Sequence, residues 1–253
     1  MLSMFLAPLF PLAVAGAGCG LLYRFSDKKR TGIVNSLGLG ILAFFWQQCL
    51  YTMIVMALTE YEGVRSVIER IALISVIVYT IVCSIFLAMG IQWAVRAAEK
   101  KTTSPFRASA AGLGFGVGNV IWNIVVPYMI GLYTASTINM EVYEGSDETA
   151  ASVLAIRPMD VMMDSLKSVC FLFIYTAMGL LIGKLCRQGS RKRAFLMTFL
   201  AMFFINITNA LLKQFSYQKM AASVVIHVLL LLLAAAAAWM LSQWLRTSGR
   251  GNT

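Results

Sequence analysis

The sequence has few charged residues and almost no histidine. Charged residues make up 13% of the 253 residues, whereas hydrophobic residues make up 59%. No polar stretch is long enough to form a soluble basic domain, which argues against nucleic acid as a partner. The single histidine, His227, cannot build a zinc site alone, because such sites use three or four ligands. A Ser/His/Asp set, an HExxH motif and paired intramembrane aspartates are also absent from the sequence.

Cysteine is scarce, and its positions do not indicate a set of disulfide bonds. None of the five cysteines occurs in CxxC spacing, and four of them fall inside apolar segments. No pair lies in a segment where a disulfide would form readily, so structural thiols are expected. These cysteines are Cys19, Cys49, Cys83, Cys170 and Cys186.

The apolar residues come in blocks of about 20, which is the length that a helix needs to cross a bilayer core. A helix satisfies its own backbone hydrogen bonds in lipid. The sequence therefore predicts an all-α, polytopic membrane bundle that forms a single domain over residues 1–253. The seven predicted spans are Met4–Tyr23, Leu37–Leu58, Ile71–Trp93, Ser109–Tyr133, Val161–Gly183, Ala194–Leu212 and Met220–Leu245.

Lysine and arginine are unevenly distributed among the loops. Most of the 21 occur in alternate loops, near residues 24–30, 96–107, 184–193 and 246–250, while most acids lie in the opposite loops. The positive-inside rule then predicts an outer amino terminus and a cytoplasmic carboxyl terminus. Anionic lipid of the inner leaflet is a sufficient partner for the net charge of +10. This simple topology indicates a bacterial cytoplasmic membrane.

The only long connection is predicted at residues 134–160, on the outer side. Its polar residues exclude a membrane span. Two interpretations stay open for it, a solvated loop and a lid over a cavity.

The fourth predicted span begins with four glycines at every second position. They form two overlapping GxxxG pairs, and small residues at this spacing let helix backbones touch in lipid. We therefore expect this span to be the central helix of the bundle. The glycines are Gly112, Gly114, Gly116 and Gly118.

Several polar residues lie inside the predicted spans, where they are costly and are therefore candidates for function. Asn119 and Asn123 are one turn apart and could either hydrogen-bond between helices or line a cavity. Asp164 and Lys167 indicate either an ion pair with a lysine reaching the interface or an ion site. The other candidates are Asn206 and Asn209 in the sixth span and His227, a buried hydrogen-bonded histidine or a ligand, in the seventh.

The chain resembles the YhfC-type membrane proteins, a branch of the CAAX-protease and bacteriocin-processing superfamily of intramembrane metalloproteases. The resemblance is carried by residues 38–48, GLGILAFFWQQ, and by the alternating glycines of the fourth span. A more distant relative is the anterior-pharynx-defective subunit of γ-secretase, which has seven spans and the same orientation and does not catalyse cleavage.

The resemblance implies three motifs at the active site, EExxxR, FxxxH and HxxxN. This chain keeps Arg96 of the first and has Gln92 at a glutamate position. It keeps Phe115 of the second and has Asn119 at the histidine position. The third keeps Asn209 but lacks its histidine. We therefore expect a degenerate cavity lined by these five residues, with neither a metal nor a catalytic residue, because amides do not activate water.

The sequence thus predicts a pseudoprotease that binds a transmembrane peptide or another membrane protein without cutting it. Two alternatives remain. The first is an active intramembrane metalloprotease with displaced ligands, which would need zinc. The second is a small transporter or permease subunit in which Asp164, Lys167 and His227 form the ion path.

Overall fold

The computed structural model describes residues 2–26, 31–61, 72–100, 104–140, 145–215 and 219–249, and all regular structure in these ranges is helical. The described residues form ten α-helices, and a π-helical turn at Ile121–Val125 joins the fifth to the sixth. The helices are α1 Leu2–Leu6, α2 Leu9–Phe25, α3 Thr31–Glu60, α4 Ala72–Glu99, α5 Pro105–Val120, α6 Val126–Asn139, α7 Asp147–Leu154, α8 Pro158–Arg187, α9 Arg191–Phe215 and α10 Lys219–Gly249.

Six segments of the described residues are long and apolar enough to cross a membrane, and the chain is an integral membrane protein. They match six of the seven predicted spans in position. The remaining prediction, Ala194–Leu212, falls within α9, where several side chains lie outside the described residues. The six segments are Met4–Phe25, Gly32–Glu60, Ile74–Glu99, Pro105–Asn139, Pro158–Arg187 and His227–Trp244.

Contacts between helix termini show that the basic ends of α4, α8 and α9 lie together. The Arg187 guanidinium at the end of α8 pairs with Glu99 at the end of α4. The Gln92 side-chain amide of α4 donates a hydrogen bond of 3.1 Å to the Arg191 carbonyl oxygen at the start of α9. We call this end of the bundle the basic end, and Arg96 of α4 also lies there. Arg24 at the end of α2 belongs to it too, because Leu22 lies around one space with Trp244, which packs against Phe106 at the start of α5.

Helix α5 packs between α3 and α8, and its backbone is in direct contact with the backbones of both helices. A Cβ atom added to Gly114 would overlap the Leu37 carbonyl oxygen of α3. One added to Gly112 would overlap the Tyr175 carbonyl oxygen of α8. Only glycine allows such an approach, and the backbone contact explains why these helices pack closely without a hydrophobic driving force from lipid. A Cβ atom added to Gly116 would crowd Leu172 of α8, and one added to Gly118 would overlap the Phe44 side chain of α3.

An aromatic cluster occupies the middle of the bundle. Phe115 of α5 makes edge-to-face contacts with Phe44 of α3 and Tyr175 of α8, each with ring centroids 5.2 Å apart. All three side chains are buried. This geometry is favourable for aromatic pairs and holds the three helices together at one depth.

Prolines interrupt two of the predicted spans. The first span is broken at Pro8 into α1 and α2, since proline removes a backbone donor. The fourth contains the π-helical turn, two residues before Pro127. Both irregularities lie inside segments long and apolar enough to cross a membrane, so the two predicted spans keep their positions, and only the irregularities themselves were not predicted.

The predicted outer connection is also more helical than expected. Helix α6 continues to Asn139, so the helix does not end near Thr134. A further short helix, α7, covers Asp147–Leu154, and residues 141–144 lie outside the described residues. Polar side chains exclude lipid but not helix, which is why polarity alone misplaced this boundary.

Candidate functional site

A polar cavity of about 360 Å³ lies within the bundle, between α3, α4, α5, α8, α9 and α10. Four carboxamides line it, together with a carboxylate, an ammonium group and four hydroxyls. Polar groups are expensive in a membrane interior, so their grouping around one space makes this cavity the candidate site. These residues are Gln48, Asn119, Asn123, Asn206, Asp164, Lys167, Tyr51, Ser168, Tyr175 and Thr208.

The aromatic cluster closes the cavity toward the basic end. Phe44 and Tyr175 belong to both the cluster and the cavity wall. Phe115 lies one helical turn before Asn119 on α5, a helix that begins at the basic end. The cavity therefore occupies the half of the bundle remote from the basic end.

The π-helical turn shapes one wall of the cavity. Within it the Val126 N–H donates to the Ile121 carbonyl oxygen, five residues earlier, and the Asn123 side-chain amide donates to the Asn119 carbonyl oxygen at 3.2 Å. Pro127 has no N–H, so the α-helical hydrogen bond from residue 127 to the Asn123 carbonyl cannot form. Such turns are frequent at functional sites, and this one directs Asn119 and Asn123 to the same space.

The carboxylate in the wall is held by a tyrosine. The Tyr128 hydroxyl of α6 donates to Asp164 Oδ2 of α8 at 2.9 Å, and the Tyr128 side chain is largely buried. Asp160, one turn earlier on α8, forms an exposed ion pair with Arg157 instead. Asp160 and Asp164 therefore have different environments although they share one stripe of the helix.

Helix α9 contributes the opposite wall and is tied to α4. The Asn206 side-chain amide donates to Ser84 Oγ at 3.3 Å. Ser84 is fully buried, so this bond joins two helices inside the bundle. The neighbouring Cys83 thiol lines the cavity and provides a chemical handle in its wall.

The structure brings together five of the residues that the sequence singled out. Asn119, Asn123, Asn206, Asp164 and Lys167 all line the polar cavity. Asn119 and Asn123 thus line a cavity, and the hydrogen bond of Asn123 goes to the Asn119 carbonyl of the preceding turn and not to another helix. Asn206 both lines the cavity and bonds to another helix.

The five residues expected to line a degenerate protease cavity do not converge on this one. Gln92 is bound to the Arg191 carbonyl at the basic end, Arg96 is exposed, and Phe115 is buried in the aromatic cluster. Asn119 alone of the five is among the residues that line the cavity. The side chain of Asn209 lies outside the described residues. Motif order along the chain predicted proximity, but these positions fall at different depths of the bundle.

His227 lies beside the cavity rather than among its lining residues. Its Nε2 atom is 3.2 Å from the Met163 carbonyl oxygen of α8, and the side chain is half-buried. A carbonyl oxygen only accepts, so this nitrogen carries the proton. The contact joins α10 to α8 next to Asp164.

Sequence reasoning missed several lining residues. Gln48 offered a usable signal, because it is an amide inside an apolar segment. Tyr51, Ser168 and Thr208 gave none, since single hydroxyls are common in membrane helices, where they bond to their own backbone.

Among the described residues, no group of three or more His, Cys, Asp and Glu side chains is placed to hold a metal ion. What the cavity offers instead is hydrogen bonding, because each carboxamide has both donors and an acceptor.

Comparisons with protein-family models, with curated proteins and with solved structures found no match. The resemblance to the YhfC-type proteins therefore has no support beyond the residues quoted for it.

Proposed function

We propose that this integral membrane protein binds a peptide-like polar group of a membrane ligand in its polar cavity and does not cleave it. The observation that carries this proposal is the convergence of four carboxamides from α3, α5, the π-helical turn and α9 on one space. The ligand is a transmembrane peptide or the membrane segment of another protein.

Carboxamides are the natural complement of a peptide group. Each can accept from the peptide N–H and donate to the peptide carbonyl, and both exchanges are favoured where water is scarce. A peptide group that has no hydrogen-bond partner in lipid costs roughly several kcal/mol. A membrane segment with an exposed or unwound peptide group is therefore stabilised when the cavity supplies the missing hydrogen bonds.

Binding without cleavage follows from the same inventory. Hydrolysis needs a base near neutral pH or a metal to activate water. Asp164 is the carboxylate among the lining residues, and the Tyr128 hydroxyl already bonds to it. A degenerate relative of the YhfC-type proteases, with seven spans and an outer amino terminus in a bacterial cytoplasmic membrane, would have this character.

Protection of Cys83 tests the binding. In a variant whose other four cysteines are replaced by alanine, Cys83 is modified with methyl methanethiosulfonate in lipid nanodiscs. We expect N-acetylleucine methylamide to slow the modification several-fold. The corresponding methyl ester, which lacks the second N–H, should slow it much less, because the carboxamide oxygens then lose a donor.

The matched control compares two asparagines. Asn119→Ala removes a carboxamide from the cavity wall, whereas Asn35→Ala removes one from the exposed face of α3. We expect protection to disappear in the first variant and to persist in the second. Equal protection by amide and ester, or the same protection in both variants, would refute amide recognition.

A second candidate function rests on a different observation. Asp164 and Lys167 carry opposite charges into one intramembrane cavity, as an ion-coupled transporter requires. Uptake of an amino acid or cation into proteoliposomes that is lost in Asp164→Asn and Lys167→Gln would favour transport. No uptake, together with protection of Cys83, would favour binding alone.

A further inference from the structure

A second cavity, of about 280 Å³, lies between α2, α5, α8 and α10 in the half of the bundle next to the basic end. Its wall is formed by aliphatic and aromatic side chains, with two hydroxyl residues, Thr176 and Ser242. It shares no lining residue with the polar cavity. The two spaces are therefore separate.

Both hydroxyls in this wall are already bonded to their own helices. Thr176 Oγ1 donates to the Leu172 carbonyl oxygen at 2.6 Å, and Ser242 Oγ donates to the Trp239 carbonyl oxygen at 2.8 Å. Their protons are thus committed, so the wall offers a ligand hydrocarbon surface. An occupant with polar groups in this space would leave them unpaired, at a cost of roughly 1–3 kcal/mol each.

The length of the cavity matches one leaflet. Its wall follows α2 from Val14 to Leu22, which at a rise of 1.5 Å per residue spans about 12 Å. Half of a bilayer core is about 15 Å thick. An acyl chain that enters from the basic end would therefore fit along the cavity without crossing the midplane.

Charged and aromatic groups lie at the basic end of this cavity. Arg24 follows Leu21 by three residues on α2, so it continues the stripe that lines the cavity, and it is exposed. Trp244, near the end of α10, lines the cavity and packs against Phe106 with ring centroids 4.7 Å apart. Tryptophan at the membrane interface and arginine beside it are the usual partners of a lipid head group.

From this arrangement we propose that the apolar cavity holds one acyl chain of an anionic phospholipid, with the phosphate of its head group against Arg24. The apolar wall of the cavity binds the acyl chain, and the Arg24 guanidinium favours a lipid whose head group is negatively charged. Bound in this way, the lipid joins α2 to α10 through a space that their side chains leave open.

A glycine in the wall allows the cavity to be filled. A Cβ atom at Gly18 would lie 3.5 Å from Leu113 Cδ2, an ordinary contact, so the helix packing accepts it. The longer side chain of Gly18→Leu would then occupy the space of the acyl chain. Gly20→Leu is the control on the same helix, because a Cβ there meets no atom within 4 Å.

The test is native mass spectrometry of the whole protein after delipidation and reloading with phosphatidylglycerol or phosphatidylcholine. We expect the wild type and Gly20→Leu to retain one phosphatidylglycerol that Gly18→Leu does not. Arg24→Gln should reduce the preference for phosphatidylglycerol over phosphatidylcholine by about fivefold, the equivalent of about 1 kcal/mol. Equal lipid retention by Gly18→Leu and Gly20→Leu, or a preference unchanged in Arg24→Gln, would overturn the proposal.

Discussion

Tyr128 and Asp164 form the hydrogen bond that fixes a carboxylate in the wall of the polar cavity. We predict that Tyr128→Phe lowers the free energy of unfolding by about 1–2 kcal/mol, because the hydroxyl donates to a group able to carry charge. Denaturant unfolding in detergent measures the change. In an Asp164→Ala background the same substitution should cost far less, since its partner is gone. An equal cost in both backgrounds would mean that Tyr128 acts through packing.

Two glycines of α3 give a sharp contrast at the residue scale. A Cβ at Gly40 would overlap the Ala111 carbonyl oxygen of α5, whereas one at Gly38 meets no atom within 4 Å. We predict that Gly40→Ala destabilises the protein by about 1–3 kcal/mol, because the two backbones must separate. Gly38→Ala should be neutral or stabilising, by up to about 1 kcal/mol, through helix propensity. Thermal unfolding of both variants measures the difference. Similar melting temperatures for Gly40→Ala and Gly38→Ala would contradict the prediction.

Single residues of the site were predictable only where their chemistry is unusual for a membrane. Asn119, Asn206 and Lys167 are conspicuous in apolar segments, and all three line the cavity. Their grouping was not predictable, because it depends on the relative depth and rotation of helices. Gln92 shows the limit: it is equally conspicuous, yet it lies at the basic end, bound to a backbone carbonyl.

At the element scale, the π-helical turn decides how α5 and α6 present their side chains. A π turn accommodates one extra residue, which rotates the side chains before it by about 100° relative to those after it. This sets the direction of Tyr128 relative to the two asparagines, so that Asn119 and Asn123 line the cavity while Tyr128 reaches Asp164. The glycine pattern predicted a tightly packed helix. It did not predict the π-helical turn, because the turn depends on Pro127 and on packing between helices, and a hydropathy pattern contains no information on packing.

Pro127 provides the test of this element. We predict that Pro127→Ala raises the melting temperature, because alanine restores a backbone N–H, and abolishes protection of Cys83 by the methylamide, because the asparagines rotate away. Pro158→Ala is the control, since Pro158 stands in the first turn of α8, where a backbone N–H is unbonded in any case. Unchanged protection in Pro127→Ala would mean that the turn does not position the asparagines.

For the whole molecule, the described structure groups the basic helix ends at one end of the bundle. Block length and composition predicted the membrane helices well, because the bilayer imposes both. The orientation of the bundle in the membrane is a separate prediction, which rests only on the distribution of lysine and arginine among the loops.

The topology is open to a direct experiment. In a cysteine-free background, we predict that a membrane-impermeant maleimide labels Ser146→Cys, between α6 and α7, in intact cells. Ser190→Cys, between α8 and α9 at the basic end, should react only after permeabilisation. The reverse pattern would invert the orientation, and labelling of both sites from outside would contradict a membrane crossing by α8.

Equilibrium dialysis tests whether the protein binds a peptide group without cleaving it. Radiolabelled N-acetylleucine methylamide is dialysed against the protein in nanodiscs and then recovered for mass spectrometry. We predict saturable binding by the wild type and by Asn35→Ala, loss of binding in Asn119→Ala, and recovery of the ligand intact. Absence of saturable binding, or recovery of N-acetylleucine and methylamine as hydrolysis products, would contradict this prediction.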